Sequence, residues 1–215
     1  MKSLVDLSRK IENKLNNERE LLKLYNEIEK PLSVILTRME NWGIKVNVDY
    51  LKEISDELKI RLDEMEKEIY RLTGESFNIN SPKQLATVLY EKLGLQPVKK
   101  GKKSLSTVSD VLDELFESHH AIPLILEYRN VAKIKNTYVD VLPSYVGSDG
   151  RIHTTFNQTF TATGRLSSSN PNLQNIPIKY EWGEKIRNAF VADNGYYFLS
   201  ADYSQIEIRV LAHMS

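Results

Sequence analysis

Seven apolar residues, Leu51, Ile54, Leu58, Leu62, Met65, Ile69 and Leu72, follow one another at intervals of 3, 4, 4, 3, 4 and 3. That spacing lays them along one side of a single α-helix, and the residues between them are mostly charged. Thr73-Gly74 ends the run, glycine being the residue best able to take the left-handed turn that closes a helix. A stripe this narrow buries itself along a second long helix. Residues 121–142 supply one, through Ile122, Ile125, Leu126, Ala132, Ile134, Tyr138, Val141 and Leu142.

Shorter elements surround this pair. Leu4, Leu7, Ile11 and Leu15 predict a helix over 4–15, and Leu32, Ile35, Leu36 and Met39 another that stops at Gly43, before an extended piece at 43–48. Ser81-Pro82-Lys83-Gln84 reads as a capping box opening a helix to about Leu93. Val108, Val111, Leu112, Leu115 and Phe116 predict a short helix over 107–117. From Pro143 the helical period gives way to a turn at 147–150 and then to RIHTTFNQTFTA, whose β-branched and aromatic residues predict a strand or hairpin. Residues 164–178, GRLSSSNPNLQNIPI, read as an ordered polar loop, 196–201 as a strand and 205–214 as a helix. A boundary between a helical part and an α+β part falls near residue 143.

Composition narrows the function classes. No run approaches the roughly 20 apolar residues of a membrane helix, and the N-terminus MKSLVDLSRKIENKL lacks the apolar core of a signal peptide. No membrane association and a cytoplasmic location are expected. The absence of cysteine excludes disulfides and thiolate metal sites. Basic and acidic residues balance at 29 each, so binding to nucleic acid has to come from a local patch.

Asp202 ends the apolar run at 196–201 and precedes a helix. A carboxylate held at a strand end suits Mg²⁺, which takes one or two protein carboxylates together with phosphate oxygens and water. An acid in that place is equally an ordinary helix cap. Glu207 lies too far along the helix to be taken as a ligand of the same ion. Lys99, Lys100, Lys102 and Lys103 surround one glycine in KKGKK, which is either a solvated loop or a phosphate contact. The Asn and Gln residues of 164–178 either cap their own turns or meet a hydrogen-bonding partner. His119, His120, His153 and His213 have no metal-ligand spacing and read as structural.

DYSQIEIR, about thirty residues after GRLSSSNPNLQNIP, resembles the palm of the family A DNA polymerases, the group typified by bacterial DNA polymerase I. FNINSPKQLATVLYEKLGL, the lysine-rich loop and ILEYRNVAKIKNTYVDVLP resemble that family's thumb in the same order, so the resemblance covers roughly 25–215. It implies an α+β, mostly α fold: a thumb with two long antiparallel helices, followed by part of an antiparallel-sheet palm. The implied division is an N-terminal helical segment at 1–30, a thumb with a lysine-rich tip at 31–143 and a partial palm at 144–215.

The resemblance also implies roles. Asp202 and the Tyr203 carbonyl bind Mg²⁺ in a two-metal site, and Arg165 acts near the primer terminus. Tyr203, Ser204, Gln205 and Glu207 line the deoxynucleoside triphosphate pocket, Glu207 rejecting a 2′-hydroxyl. Ile208 replaces the more usual Leu, a swap of similar volume. Asn172 and Gln174 contact the nascent duplex, whose minor-groove acceptors lie at nearly equivalent positions in every base pair. Where the family has an arginine a few residues on, this chain has Lys179. Lys99, Lys100, Lys102, Lys103, Arg129 and Lys133 meet the primer-template backbone, the last two being four apart on one helix face.

The family's fingers and second palm aspartate, and room for a proofreading-type exonuclease domain, are missing from these residues. The expectation is therefore a polymerase part that is inactive alone and completed by a second chain carrying the fingers and the rest of the palm. The alternative is a non-catalytic DNA-binding module that retains the thumb contacts.

Overall fold

The computed structural model describes residues 2–96, 106–177 and 181–215. Helices α1 (Lys2–Leu15) and α2 (Arg19–Leu24) lead through a π-helical turn, Tyr25–Glu29, into α3 (Lys30–Trp42). A short strand β1 (Ile44–Lys45) precedes the long α4 (Val48–Thr73). Then come α5 (Pro82–Ala86) with a π-helical continuation, Thr87–Lys92, α6 (Ser109–Glu114) and α7 (Ala121–Ile134). The strands β2 (Arg151–Ile152), β3 (Thr155–Asn157) and β4 (Ser167–Ser169) are followed by α8 (Glu181–Asn188) and α9 (Ile206–Met214). The fold is α+β and mostly α, with two antiparallel two-stranded sheets, β1–β2 and β3–β4.

Helix α4 is the predicted rod, 26 residues long. The Asn47 side chain accepts from the Tyr50 N–H at its start, and Gly74, at φ +76°, closes it through an N–H bond to the Tyr70 carbonyl. Asp49 in the first turn and Arg71 in the last complement the helix dipole. Helix α7 runs antiparallel along it: Arg61 pairs with Glu127 at 2.8 Å, while Ser55, earlier on α4, meets Lys135 and Asp140 just beyond α7.

Two clusters make the core. Leu51, Ile54, Leu58 and Met65 pack with Val131, Ile134, Tyr138 and Leu142, and also with Ile152, Ile176 and Ile186, so this cluster includes residues on both sides of position 143. Ile69 enters the other, with Leu85, Leu89, Leu112, Ile122 and Ile125. Tyr128 packs against both. Helix α3 is fastened to the β region by Glu40, whose side chain accepts from the Phe156 N–H at 2.7 Å. Its main-chain carbonyl lies 2.7 Å from His153 Nδ1.

Several sequence expectations are corrected. The second long helix does not run unbroken to 142: it passes at Lys135–Val139 into a π-helical turn and ends in a 3₁₀ turn, Leu142–Tyr145. The wider turn shifts the register so that the adjacent Tyr138 and Val139, and Leu142, are all buried, while Val141 is exposed. The helix predicted over 107–117 is only α6, and Val108 and Phe116 are exposed. Ser81 caps α5 by accepting from the Gln84 N–H, but the Gln84 side chain accepts from the Asn78 N–H instead of returning to Ser81. The capping box is therefore half made. Leu4, Leu7 and Ile11 of α1 are exposed.

Residues 167–169, read as loop, form β4, because β3 provides a register in which Phe156 opposes Ser168. Residues 196–201, read as a strand, form none. No described strand pairs with them, and Tyr197 and Leu199 are 94% and 93% exposed. An apolar run becomes a strand only where a neighbouring edge takes its N–H and C=O groups.

Candidate functional site

The polar loop after β4 is held from three sides. Thr154, between β2 and β3, donates its hydroxyl to the carbonyls of Ser169 at 3.1 Å and Pro171 at 2.7 Å. The Tyr138 hydroxyl, carried inward by the π-helical turn, donates to the Asn175 carbonyl; burial pushes this phenol above its ordinary pKa. Within the loop, Ser168 Oγ accepts from the N–H groups of Leu173 at 2.9 Å and Gln174 at 3.3 Å. Asn172 Oδ1 accepts from the N–H groups of Gln174 at 3.1 Å and Asn175 at 3.2 Å.

The choice between turn capping and an outward partner is thus divided within one side chain. The Asn172 oxygen caps the turn, while the residue, like Gln174, is exposed. Sequence reading identified Asn172 and Gln174 but missed the groups that hold them: Ser168, Thr154 and Tyr138. The serine triplet was a visible signal, whereas Tyr138 registered only as one member of an apolar stripe.

At the carboxyl end, Asp202 Oδ1 accepts from the neighbouring Tyr203 N–H at 2.9 Å. It does not cap α9, whose N-cap is Gln205 in the left-handed conformation at φ +52° with no side-chain cap bond. Gln205 therefore lies outside the helix predicted to begin with it. Arg209 donates to the Ser204 carbonyl at 2.8 Å rather than pairing with Glu207, and residues 201–215 are exposed. The partner of Glu207 is Arg165, whose Nη2 lies 3.3 Å from Glu207 Oε1. Two side chains singled out separately, 42 positions apart, are thereby brought together.

The donors at Asp202 are hard oxygens, which suits Mg²⁺: one carboxylate oxygen outside the Tyr203 bond, and a main-chain carbonyl. Among the described residues no group of three His, Asp or Glu side chains could hold a metal ion by itself. The donor set fits the ion in kind and is partial in number.

The basic residues separate. Lys133 is exposed on α7. Arg129, four residues earlier, is not: its Nε donates to the Ile79 carbonyl at 3.0 Å and its Nη1 to the Thr107 carbonyl at 2.6 Å. Burial holds its pKa below the usual arginine value. The guanidinium thus ties two backbone segments together as a structural staple, while its buried Nη2 has no partner among the described residues. Lys99, Lys100, Lys102 and Lys103, and Lys179, lie outside the described residues. His119 accepts from the Ala121 N–H at 3.1 Å, and His153 bridges α3 and the 147–150 turn. No described helix is long and apolar enough to cross a membrane.

The chain is 50% identical over 208 residues to the thermostable DNA polymerase I of Thermus thermophilus, covering 95% of this chain and 25% of that protein. It is 48% identical over 215 residues to DNA polymerase I of Bacillus subtilis (strain 168), covering 99% of this chain and 24% of that protein. It thus spans about a quarter of the length of these curated relatives. A solved structure described as the POL domain of Pol1 from M. smegmatis in complex with DNA primer-template and dNTP superposes with a TM-score of 0.87 at 42% identity, over 97% of this chain and 37% of that one. The family model for DNA polymerase family A matches residues 48–215, and the chain belongs to that family.

Proposed function

We propose that these residues are the part of a template-directed, DNA-dependent DNA polymerase that binds primer-template DNA and contributes Asp202 and Glu207 to nucleotidyl transfer. The observation that supports this reading most is the Arg165–Glu207 pair. It joins the start of the polar loop to the first turn of α9, so the two motifs that resemble the polymerase palm adjoin one another. The likeness to a polymerase domain bound to primer-template and dNTP supports it further.

In this reading Arg165 acts at the primer terminus, Asn172 and Gln174 face the nascent duplex, and Lys133 and the lysines at 99–103 face phosphates. Tyr203, Ser204, Gln205 and Glu207 line the nucleotide pocket, with Glu207 excluding a 2′-hydroxyl. Asp202 and the Tyr203 carbonyl hold Mg²⁺. When bound, a pair of such ions lowers the pKa of the primer 3′-hydroxyl and neutralises charge on the leaving pyrophosphate. The division into an N-terminal segment at 1–30, a thumb at 31–143 and a partial palm at 144–215, and a cytoplasmic location, belong to the same proposal. So does the requirement for fingers and further palm residues from outside these 215 residues.

The test is primer extension with this chain alone and with a separately expressed family A segment carrying the fingers and remaining palm. The expected result is no extension by the chain alone and extension by the mixture, abolished by Asp202→Ala. Extension by these 215 residues alone would overturn their dependence on the further segment. A mixture indifferent to Asp202→Ala would leave a non-catalytic DNA-binding module.

A further inference from the structure

Ser168 sits in β4 with only 3% of its surface exposed, and every bonding position of its hydroxyl is used. The oxygen accepts from the Leu173 N–H at 2.9 Å and takes one arm of the Gln174 N–H at 3.3 Å, whose other arm reaches Asn172 Oδ1 at 3.1 Å. The proton goes to Asn172 Oδ1 at 3.3 Å. A serine hydroxyl has one proton and two lone pairs, so this is a complete set.

The consequence falls on Asn172. Its Oδ1 receives the Ser168 hydroxyl together with the N–H groups of Gln174 and Asn175. Rotating the amide by half a turn would set its NH₂ group against three donors, so the network itself decides which end is oxygen. The oxygen is held by the loop, and no hydrogen bond among the described residues engages the NH₂ group of this exposed residue. An NH₂ group is the end that matches the acceptors of a minor groove.

We infer that Ser168 is a positioning residue: it does not meet DNA, but fixes the Asn172 amide with its donor end outward, ready for a duplex. This inference rests on the proposed reading of the loop as a duplex contact. It adds a reason for the buried hydroxyl that packing alone does not supply, since alanine would fill nearly the same volume in β4. Holding the donor before DNA arrives also removes the cost of ordering it on binding.

Two measurements on the full chain test it separately. The first needs no DNA: the side-chain NH₂ resonances of Asn172, followed by NMR, are expected to be well dispersed and motionally restricted in the native protein and averaged in Ser168→Ala. Unchanged resonances in a folded Ser168→Ala protein would overturn the inference. The second is binding to a fluorescein-labelled primer-template duplex, measured across a salt series.

Ser168→Ala is expected to weaken binding roughly tenfold, as loss of one oriented hydrogen bond does. The slope of log affinity against log salt should stay the same, because no phosphate contact is touched. Ser168→Ala combined with Asn172→Ala should lose no more than Asn172→Ala alone; additive losses would show that the serine acts elsewhere. Asn172→Asp covers the case in which Ser168→Ala fails to fold: it keeps the inward acceptor and replaces the outward donor. It is expected to fold normally and to lose binding, and undiminished binding by that variant would defeat the inference. If the native chain binds no duplex, the reading of the loop as a DNA contact falls, while the NMR result still decides whether Ser168 orients Asn172.

Discussion

Arg165 donates from Nη2 to Oε1 of Glu207 at 3.3 Å, joining residues 42 positions apart in the sequence. Both side chains are largely exposed, at 78% and 73%. An ion pair in that setting is screened by water and adds little to stability. Its interest is that it places a base and an acid from the two polymerase-like motifs within reach of the same small ligand. Glu207→Ala is therefore expected to leave the urea unfolding midpoint unchanged. In the two-part extension assay it should raise ribonucleotide use relative to deoxynucleotide use by roughly tenfold or more. A shifted midpoint with unchanged sugar selection would assign Glu207 to structure.

Tyr138→Phe removes the hydroxyl that donates to the Asn175 carbonyl and leaves the rest of the side chain in the core. The expected loss is about 1 kcal/mol in urea denaturation. Because the bond ties the loop to the π-helical turn after α7, hydrogen exchange at the N–H groups of 172–175 should rise more than exchange within α4.

His153 places Nδ1 2.7 Å from the Glu40 carbonyl and Nε2 3.0 Å from the Asp149 carboxylate. Both neighbours are acceptors, so both ring nitrogens donate and the imidazolium is favoured. The Glu40 carbonyl first, and the Asp149 carboxylate next, raise its pKa above the usual 6.5. The folded state therefore binds this proton more tightly than the unfolded one. The stabilisation is fully present below pH 6.5 and is lost as pH rises through the elevated value. Thermal melts of the native chain and of His153→Gln should differ most at the acidic end of that window and converge above it. A difference independent of pH would refute the charged form.

Gly43 ends α3 at φ +65°, where a Cβ would lie 2.8 Å from the Ile152 carbonyl oxygen and from His153 Cε1. The backbone conformation and the contact both oppose a side chain. Gly43→Ala is expected to cost about 2 kcal/mol or more by urea denaturation, whereas Gly150→Ala, at φ +76° with open space around it, should cost less.

The rod α4 was legible from residues 48–74 alone, because its stripe and its Gly74 stop are local features. The polymerase motifs were legible as strings for the same reason: Asp202, Glu207, Arg165, Asn172 and Gln174 lie in contiguous stretches. What those side chains do with their hydrogen bonds was not legible. Arg129 turns inward because the Ile79 and Thr107 carbonyls, far away in sequence, need donors. Three serines become a strand because β3 lies alongside them, and Tyr196 to Ala201 does not because no described strand does. Periodicity and capping are short-range and are written along the chain. The partner of a polar group is chosen by whatever folding brings near it, and that only the tertiary structure decides.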